Sequence, residues 1–376
     1  MKREDLLIVG DTERDANMLY AVGMFVPDPF IYFRVNGRGH IVMSDLEIDR
    51  ARKQAPHCRI LSLSQLTQRL RREGVKTPGA AAVIRLICKE RHLKRVFVPA
   101  SFPHGLAREL RRLKIKVKVK RGNFFPQRET KNADEVKKIS AALMMAEVGL
   151  AEGIQALRNS RIGKNGRLVY HNLPLTADKL RAIINIAVMQ AGGVANHTIV
   201  ACGRQGCDPH GQGSGMLRAH EPIILDVFPR SQKTGYFGDI TRTVVKGHPS
   251  EAVRKLFDTV EQAQELAFEK LRPGASAAAV HTVVHQFFEK RGFKTGRQNG
   301  RMEGFIHGTG HGLGLELHEG PRISPASTDT LRNGQVVTVE PGLYYAGLGG
   351  VRLEDVAHLS PAGTRNLTRF EKALEL

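Results

Sequence analysis

Acidic side chains directly follow two strongly apolar runs in this chain of 376 residues. Asp226 follows Pro-Ile-Ile-Leu, and Glu340 follows Gln-Val-Val-Thr-Val. Short apolar runs of this kind predict strands that are largely buried. A buried carboxylate is rare unless it is paired, hydrogen-bonded or bound to a metal, because leaving water penalises its charge. The fold must therefore bring a hydrogen-bond donor, an oppositely charged side chain or a metal ion to the ends of these strands.

Three shorter motifs carry side chains that suit the last of these partners. Gly-Asp-Ile-Thr-Arg-Thr contains Asp239, Arg-Leu-Glu-Asp contains Glu354, and the second histidine of His-Gly-Thr-Gly-His-Gly-Leu-Gly is His311. Four carboxylates and a single imidazole form the oxygen-rich set that a pair of divalent cations requires. Carboxylates that reach both cations would offset the repulsion between them, and the cations would hold a shared hydroxide as nucleophile. The five residues predict a dinuclear metallohydrolase.

Each of these residues also has a simpler interpretation when it is taken alone. Asp239 is a candidate turn residue or ion-pair partner of Arg242, and Glu354 is a candidate partner of Arg352 on a solvated face. His311 stands among glycines, where a single histidine is often structural. The metal interpretation is favoured because several buried acids close together would repel one another without cations.

The order of these segments and the residues within them resemble the M24 metallopeptidase family over roughly residues 131–376. That family has the pita-bread fold and includes Xaa-Pro aminopeptidases, prolidases and methionine aminopeptidases. The resemblance implies two divalent ions per chain, with Mn²⁺ expected first and Co²⁺ or Zn²⁺ as alternatives. It also implies these roles: Asp226 binds one metal, His311 and Glu340 bind the second, and Asp239 and Glu354 bridge both.

Within the proline-specific branch of the family, the resemblance extends to residues around the substrate. His210 and His318 are expected to donate hydrogen bonds to the substrate carbonyl, and Glu340 to carry a proton to the leaving amine. Supporting positions near the substrate are expected at His307, Tyr344 and Arg352.

The sequence departs from the family pattern near the first metal ligand. Phe228 stands where the family usually has glycine, and the interval from Asp226 to Asp239 is two residues longer than the commonest pattern. An even insertion keeps both carboxylates on one face, because strand side chains alternate. We expect the loop Pro-Arg-Ser-Gln-Lys-Thr-Gly to lengthen and the segment from Tyr236 to form the return strand. His197 precedes another apolar run, and we expect a structural role or a place at the rim of the cleft for it.

Alternating apolar runs and helical stretches predict two domains and an α+β fold. Residues 1–125 predict a smaller α/β domain that resembles the N-terminal domain of creatinases. Residues 131–376 are the pita-bread catalytic domain that the resemblance implies, and 121–132 is the connection. Asn132 or Asp134 is the expected N-cap of a long helix that runs to about Leu157. Further helices are predicted at 176–191, 249–271 and 276–291.

Positive charge is the most unusual bulk property of the chain, which has a formal net charge of +20. Residues 1–130 hold 27 Lys and Arg against 13 Asp and Glu, so most of the excess lies there. Lys-Ile-Lys-Val-Lys-Val-Lys predicts a strand with lysines on one face, a pattern that protects an exposed sheet edge. The chain has no tryptophan, only 6% aromatic residues and no zinc-finger spacing, which disfavours nucleic-acid binding.

Several properties of the chain indicate a cytoplasmic protein. No apolar stretch approaches the ~18 residues that span a bilayer, and the charged start lacks the apolar core of a secretory signal. The cysteines do not form a framework and are expected to be free thiols: Cys58, Cys88, Cys202 and Cys207. The resemblance implies a homo-oligomer, either a dimer or a tetramer.

The favoured function is an Xaa-Pro aminopeptidase whose substrate is a peptide with proline in the second position. The alternatives within the enzyme class are an Xaa-Pro dipeptidase (prolidase) and a methionine aminopeptidase, a branch that usually lacks such an N-terminal domain. The alternative from another class is an inactive module of the same fold that binds RNA or an acidic partner. A complete ligand set disfavours this last function, because buried acids without cations would only destabilise the fold.

Overall fold

The computed structural model describes residues 4–298 and 300–376 and divides into two compact units. The units are Met1–Arg128 and Glu129–Leu376, so the boundary falls inside the predicted connection. The first three residues of the predicted N-terminal domain lie outside the described residues. Helices and strands occur in both units, and the predicted α+β class is confirmed.

A six-stranded mixed sheet forms the centre of the first unit, in the order β4-β3-β2-β1-β5-β6. Strands β1, β2 and β3 are antiparallel neighbours, whereas β4, β5 and β6 join in parallel. The strands are β1 Leu6–Gly10, β2 Phe30–Val35, β3 Arg38–Met43, β4 Arg59–Ser62, β5 Arg95–Val98 and β6 Lys116–Val119.

Helices cover both faces of this sheet, which explains why its central strands are apolar throughout. The five helices are α1 Ala16–Val22, α2 Ile48–Gln54, α3 Leu63–Arg72, α4 Ala80–Glu90 and α5 His104–Arg112. One core contains residues of α3, α4 and α5, and the other contains residues of α1 and α2. Phe124 and Phe125, from the predicted connection, are also buried in the second core.

Strand β6 lies at the edge of the sheet, as the lysine pattern predicted. Val117 is buried, while Lys116 and Lys118 are exposed. Lys114 precedes the strand and has a φ of +65°, so the row of strand lysines is shorter than the sequence suggested.

Four long helices belong to the second unit, each within about two residues of its predicted bounds. They are α6 Ala133–Asn159, α7 Ala177–Gln190, α8 Glu251–Lys270 and α9 Ala277–Lys290. Asn132 is the N-cap of α6, and it forms a capping box with Glu135 in which each side chain accepts from the other residue's backbone N–H. No helix in the described part of the chain is long and apolar enough to cross a membrane.

Six small sheets complete the second unit, and two of them position the predicted site. These two have the strand orders β11-β12-β14 and β18-β17-β19-β22-β23; the others are β7-β8-β9, β10-β13, β15-β16 and β20-β21. The strands are β7 Arg161–Ile162, β8 Leu168–Tyr170, β9 Leu173–Pro174, β10 Gly193–Val194, β11 Ile199–Cys202, β12 Ile223–Val227, β13 Arg230–Ser231, β14 Ile240–Val244, β15 Gly296–Gln298, β16 Arg301–Glu303, β17 Gly310–Gly312, β18 Glu319–Ile323, β19 Val336–Val339, β20 Gly342–Tyr345, β21 Gly349–Arg352, β22 Asp355–Ser360 and β23 Gly363–Asn366.

Glycines let β17 approach its neighbours closely in the five-stranded sheet. A Cβ at Gly310 would lie 1.9 Å from the carbonyl oxygen of Thr338, and one at Gly312 would lie 2.1 Å from that of Gly320. No side chain fits in either place, which accounts for the glycines on both sides of His311.

The return strand after Asp226 begins later than the sequence predicted. Strand β14 starts at Ile240, whereas we expected it to start at Tyr236. The intervening segment leaves the sheet to pack on α6: the Tyr236 hydroxyl donates to Glu135, and a Cβ at Gly238 would lie 2.4 Å from the backbone of Ala142. A tertiary contact therefore replaces local strand pairing.

The capping box predicts a measurable local stability. Replacing Asn132 with alanine removes one side-chain acceptor and should destabilise the start of α6 by about 1 kcal/mol. Hydrogen exchange of a peptide that covers 132–140 should become correspondingly faster. The control is Lys137→Ala, an exposed substitution in the same helix. Equal exchange in the two variants would contradict the capping role.

Candidate metal centre

Nine of the ten predicted site residues line one cavity of about 780 Å³. Its metal-ligand candidates come from both sheets: Asp226 lies in β12, and His311 lies in β17. The tenth residue, Tyr344, is fully buried, and its hydroxyl group forms hydrogen bonds with His307 and Arg352. The nine lining residues are His210, Asp226, Asp239, His307, His311, His318, Glu340, Arg352 and Glu354.

Strand register explains why two carboxylates share this cavity. Asp226 pairs with Thr241 across β12 and β14. Asp239 lies two residues before Thr241, and side chains two apart on a strand point to the same face. The lengthened loop therefore leaves both acids on the cavity side.

Side-chain atoms of His311, Asp239 and Glu354 lie within 4.8 Å of one another. His311 Nε2 is 3.5 Å from Glu340 Oε1 and 3.8 Å from Asp239 Oδ2. Both separations exceed the 2.7–3.2 Å of a normal N–H···O hydrogen bond. Two ligands of one ion, each about 2.1 Å from it, lie roughly 3–3.5 Å apart, so the separation of His311 from Glu340 fits a common cation, and that of His311 from Asp239 is slightly larger.

The hydrogen bonds of His311 prepare it to bind a cation through Nε2. Its Nδ1 lies 3.1 Å from the carbonyl oxygen of Gly312, which can only accept, so Nδ1 carries the proton. Burial, with a smaller contribution from the neighbouring His318, lowers the pKa of His311 to about 3. The imidazole is therefore neutral, and its Nε2 lone pair faces the carboxylates.

The negative charges of the carboxylates repel one another, and burial together with this repulsion raises the pKa values of three of these groups. Burial raises the pKa of Asp239 well above its usual value, and the charges of Glu354 and Asp226 raise it further. Burial and then the charges of Glu340 and Asp226 act in the same direction on the pKa of Glu354. Burial raises the pKa of Glu340 to about 7, although Arg352 opposes the shift. The protein scaffold alone does not neutralise this cluster.

Asp226 and Glu354 are each held at one oxygen. Arg352 Nη2 donates to Asp226 Oδ2 at 2.5 Å, and the Thr241 hydroxyl donates to Glu354 Oε2 at 2.8 Å. Asp226 Oδ1 is buried without a hydrogen-bond partner in the described part of the chain. A buried oxygen without a partner is costly, and a bound cation would satisfy it.

A chain of hydrogen bonds runs from Asp226 into the protein. Arg352 Nη1 donates to the Tyr344 hydroxyl at 3.0 Å, and that hydroxyl lies 2.8 Å from His307 Nε2. His307 Nδ1 faces the Gly308 carbonyl at 2.8 Å and therefore carries the proton, so Tyr344 donates to Nε2. Burial lowers the pKa of His307 to about 3, which keeps this direction of donation.

The two histidines predicted beside the substrate are exposed and lie at the cavity. The His318 ring packs edge-on against His311 with 4.4 Å between centroids. Burial, and then the nearby charge of Arg322, lower the pKa of His318. His210 lies in a loop where its backbone N–H donates to Asp208.

The structure also places residues in the cavity that the sequence had not assigned to the site. Arg322 is the cross-strand partner of His311 in β18, and a pairing of this kind is invisible without the strand register. Phe228 and His197 line the cavity as well; the sequence singled out both but assigned neither a role in binding.

The simpler interpretations of Asp239 and Glu354 do not describe the structure. Arg242 donates to Asp355 at 2.8 Å, while Asp239 faces His311. Glu354 is only 2% exposed, so it does not lie on a solvated face. These observations, the unsatisfied Asp226 oxygen and the oxygen-rich donor set together fit a divalent-metal site.

The carboxylate cluster predicts how the stability of metal-free protein depends on pH. The pKa of Glu340 rises from the ordinary 4.5 to about 7 on folding, so its protonated form stabilises the fold. That contribution is present below about pH 4.5 and is lost as pH rises through about 7. Melting temperature in a chelator should therefore fall between pH 5 and pH 8, and added Mn²⁺ should reverse the fall.

The control is Glu340→Gln, which cannot titrate and should show a smaller fall in chelator. A melting temperature of the metal-free wild type that rises over the same pH interval would contradict the repulsion between the acids.

Comparison with known proteins agrees with this geometry. The model of metallopeptidase family M24 matches residues 137–360. A Pyrococcus horikoshii Xaa-Pro dipeptidase is 31% identical over 285 residues, which cover 75% of each chain. An X-Pro aminopeptidase structure from Thermotoga maritima superposes with a TM-score of 0.82 at 23% identity, covering 99% of this chain and 97% of that one. A Pyrococcus furiosus prolidase structure superposes with a TM-score of 0.78 at 23% identity, covering 98% and 97%.

The two structures confirm the expected pita-bread fold with its N-terminal domain. The family match and the curated relative confirm the resemblance seen in the motifs. The chain, a hydrolase, belongs to metallopeptidase family M24.

Proposed function

We propose that the protein is an Xaa-Pro exopeptidase that prefers Xaa-Pro dipeptides. The observation that carries this choice is Arg322, which the register of β17 and β18 places opposite His311 in the cavity. The guanidinium group of an arginine at that position is always positively charged and can bind the free carboxylate of a dipeptide. Support for proline comes from two curated relatives named Xaa-Pro dipeptidase, at 31% and 33% identity. The sequence favoured an aminopeptidase, and longer peptides remain the alternative substrate.

The ligand roles stay as the resemblance implied. Asp239 and Glu354 would be shared by two divalent ions, Asp226 would add a ligand to one of them, and His311 and Glu340 would add ligands to the other. When bound, the ions lower the pKa of the attacking water and polarise the substrate carbonyl. Mn²⁺ is the expected metal, with Co²⁺ and Zn²⁺ as alternatives.

Glu340 moves the proton that hydrolysis requires. Its side chain is 19% exposed and lines the cavity, so it reaches both water and substrate. It accepts a proton from the attacking water and delivers it to the nitrogen of the leaving proline as the peptide bond breaks. Burial raises the pKa of Glu340 to about 7 in the metal-free fold, and this supports its assignment as the group that carries the proton.

His318 and His210 stabilise the negative charge that develops on the carbonyl oxygen. A lowered pKa keeps His318 neutral, so it donates an N–H without adding a positive charge near the cations. A well-placed donor of this kind contributes about 2.7–4 kcal/mol to the transition state. Arg352, held through Tyr344 and His307, keeps Asp226 oriented toward the cavity.

The proposed cellular setting is the cytoplasm, in line with four cysteines that form no disulfide. We retain the expectation of a dimer or tetramer, which light scattering of the purified protein tests directly. Nucleic acid and membranes have no part in the proposed reaction.

Arg322→Gln should separate dipeptides from longer peptides. Loss of a charge-assisted hydrogen bond costs about 1.5–3 kcal/mol, so kcat/KM for Ala-Pro should fall by about 10- to 100-fold. Ala-Pro-Ala, whose carboxylate lies one residue further away, should be affected much less. The control is Arg301→Gln, an exposed arginine of β16. An equal loss on both peptides, or no loss on Ala-Pro, would refute the assignment of Arg322.

Removal of a bridging carboxylate should remove metal and turnover together. Glu354→Gln and Asp239→Asn each delete a charge shared by both ions, so metal content by mass spectrometry should fall from two ions to one or none. Hydrolysis of Ala-Pro should almost vanish. Chelation should abolish activity in the wild type, and Mn²⁺ or Co²⁺ should restore it. The exposed substitution Glu269→Gln is the control. Two retained ions with normal kcat would show that neither residue is a bridge.

A further inference from the structure

Two aromatic side chains, Phe228 and His197, line the cavity without a role in the proposed chemistry. Ile199 pairs with Asp226 across β11 and β12. Continuing this antiparallel register by two residues sets His197 opposite Phe228, next to the row that holds the metal ligand. We call Phe228 and His197 the aromatic wall.

Phe228 also borders the metal centre on its other side. Val227 pairs with Ile240 across β12 and β14, so the continued register sets Phe228 opposite Asp239. Alternation along β12 directs Phe228 to the same face as Asp226. By this extended register Phe228 falls between His197 and Asp239, and all three residues line the cavity.

His197 is held in a defined orientation. Gln212 Nε2 donates to His197 Nδ1 at 2.9 Å, which leaves Nε2–H as the outward donor of the neutral ring. The backbone of His197 has a φ of +61°, which is uncommon for a residue other than glycine. The carbonyl of Gln212 accepts from the Val200 N–H at 3.0 Å and from the Arg181 side chain. The surrounding segments thus hold His197 at the cavity.

We propose that the aromatic wall selects the side chain of the Xaa residue, favouring large apolar residues over glycine and acidic residues. This inference rests on the proposed function. Arg322 and His318 lie on the β17–β18 side of the cavity, where we propose that they bind the carboxylate and the carbonyl oxygen of the substrate. The Xaa side chain would then lie against the β11–β12 side. There the phenyl ring and Ile199 offer apolar contact, against which an acidic side chain would lose its hydration without gaining a partner.

The phenyl ring of Phe228 supplies apolar surface to the cavity that a glycine at position 228 would lack. Glycine would leave that part of the cavity open and without apolar contact for Xaa. A phenyl ring adds a large surface that a leucine or phenylalanine side chain can cover but glycine cannot. Contacts of this size discriminate between substrates by about tenfold or more.

The test measures kcat/KM of the Mn²⁺-loaded protein for Gly-Pro, Leu-Pro, Phe-Pro and Glu-Pro, and for the same Xaa residues before alanine. The wild type should prefer Leu and Phe to Gly and should be poorest with Glu. In Phe228→Gly the ratio of Leu to Gly should fall about tenfold. Phe228→Leu, which keeps an apolar side chain, should recover most of that ratio, and His197→Ala should lower it less.

Metal content and melting temperature of each variant show whether the site itself survives. An unchanged Leu-to-Gly ratio in a metal-loaded Phe228→Gly variant would overturn the proposal. An equal loss on every substrate would also overturn it, because it would mean that Phe228 supports the centre without selecting Xaa. If the wild type cleaves the alanine series and not the proline series, the proposed function fails while the ratio still decides the role of the wall.

Discussion

Repulsion among buried carboxylates is the constraint on which the catalytic unit depends. Asp226, Asp239, Glu340 and Glu354 converge on His311, and burial raises the pKa of three of these four acids. Hydrogen bonds from Thr241 and Arg352 satisfy only some of the oxygens. Divalent cations bound here would neutralise the repulsion among these buried carboxylates, so that metal binding would stabilise the fold. The same ions supply the chemistry of the family.

Two sheets hold this cluster, and each contributes a different property. The sheet of β11, β12 and β14 supplies two carboxylates from adjacent strands in a fixed register. The sheet around β17 supplies His311 and the start of the turn that carries Glu340, with glycines that allow close strand packing. Because the ligands lie in strands or directly beside a strand end, a longer connecting loop leaves the site intact. The longer interval before Asp239 is such a change, and the segment that precedes Asp239 packs against α6.

Chemistry and selectivity occupy different residues of one cavity. The buried ligands and the hydrogen bonds that link Arg352, Tyr344 and His307 leave little freedom for substitution, because each of these groups is a hydrogen-bond partner of another. Phe228, His197 and Arg322 line the same space but hold no ligand position. We expect changes at these three residues to alter which peptide is bound more than how the bond is broken.

Local patterns in the sequence determined much of this molecule. Apolar periodicity and Asn132 predicted the helices of the second unit, and apolar runs ending in acids predicted where candidate ligands lie, because both signals depend on neighbouring residues. Only the tertiary structure decided which residues face one another across strands. It paired Arg322 with His311, brought His197 and Phe228 to one cavity, and directed Arg242 to Asp355. Such pairings join residues distant in sequence, and their register is set by packing of the whole sheet, which no local pattern encodes.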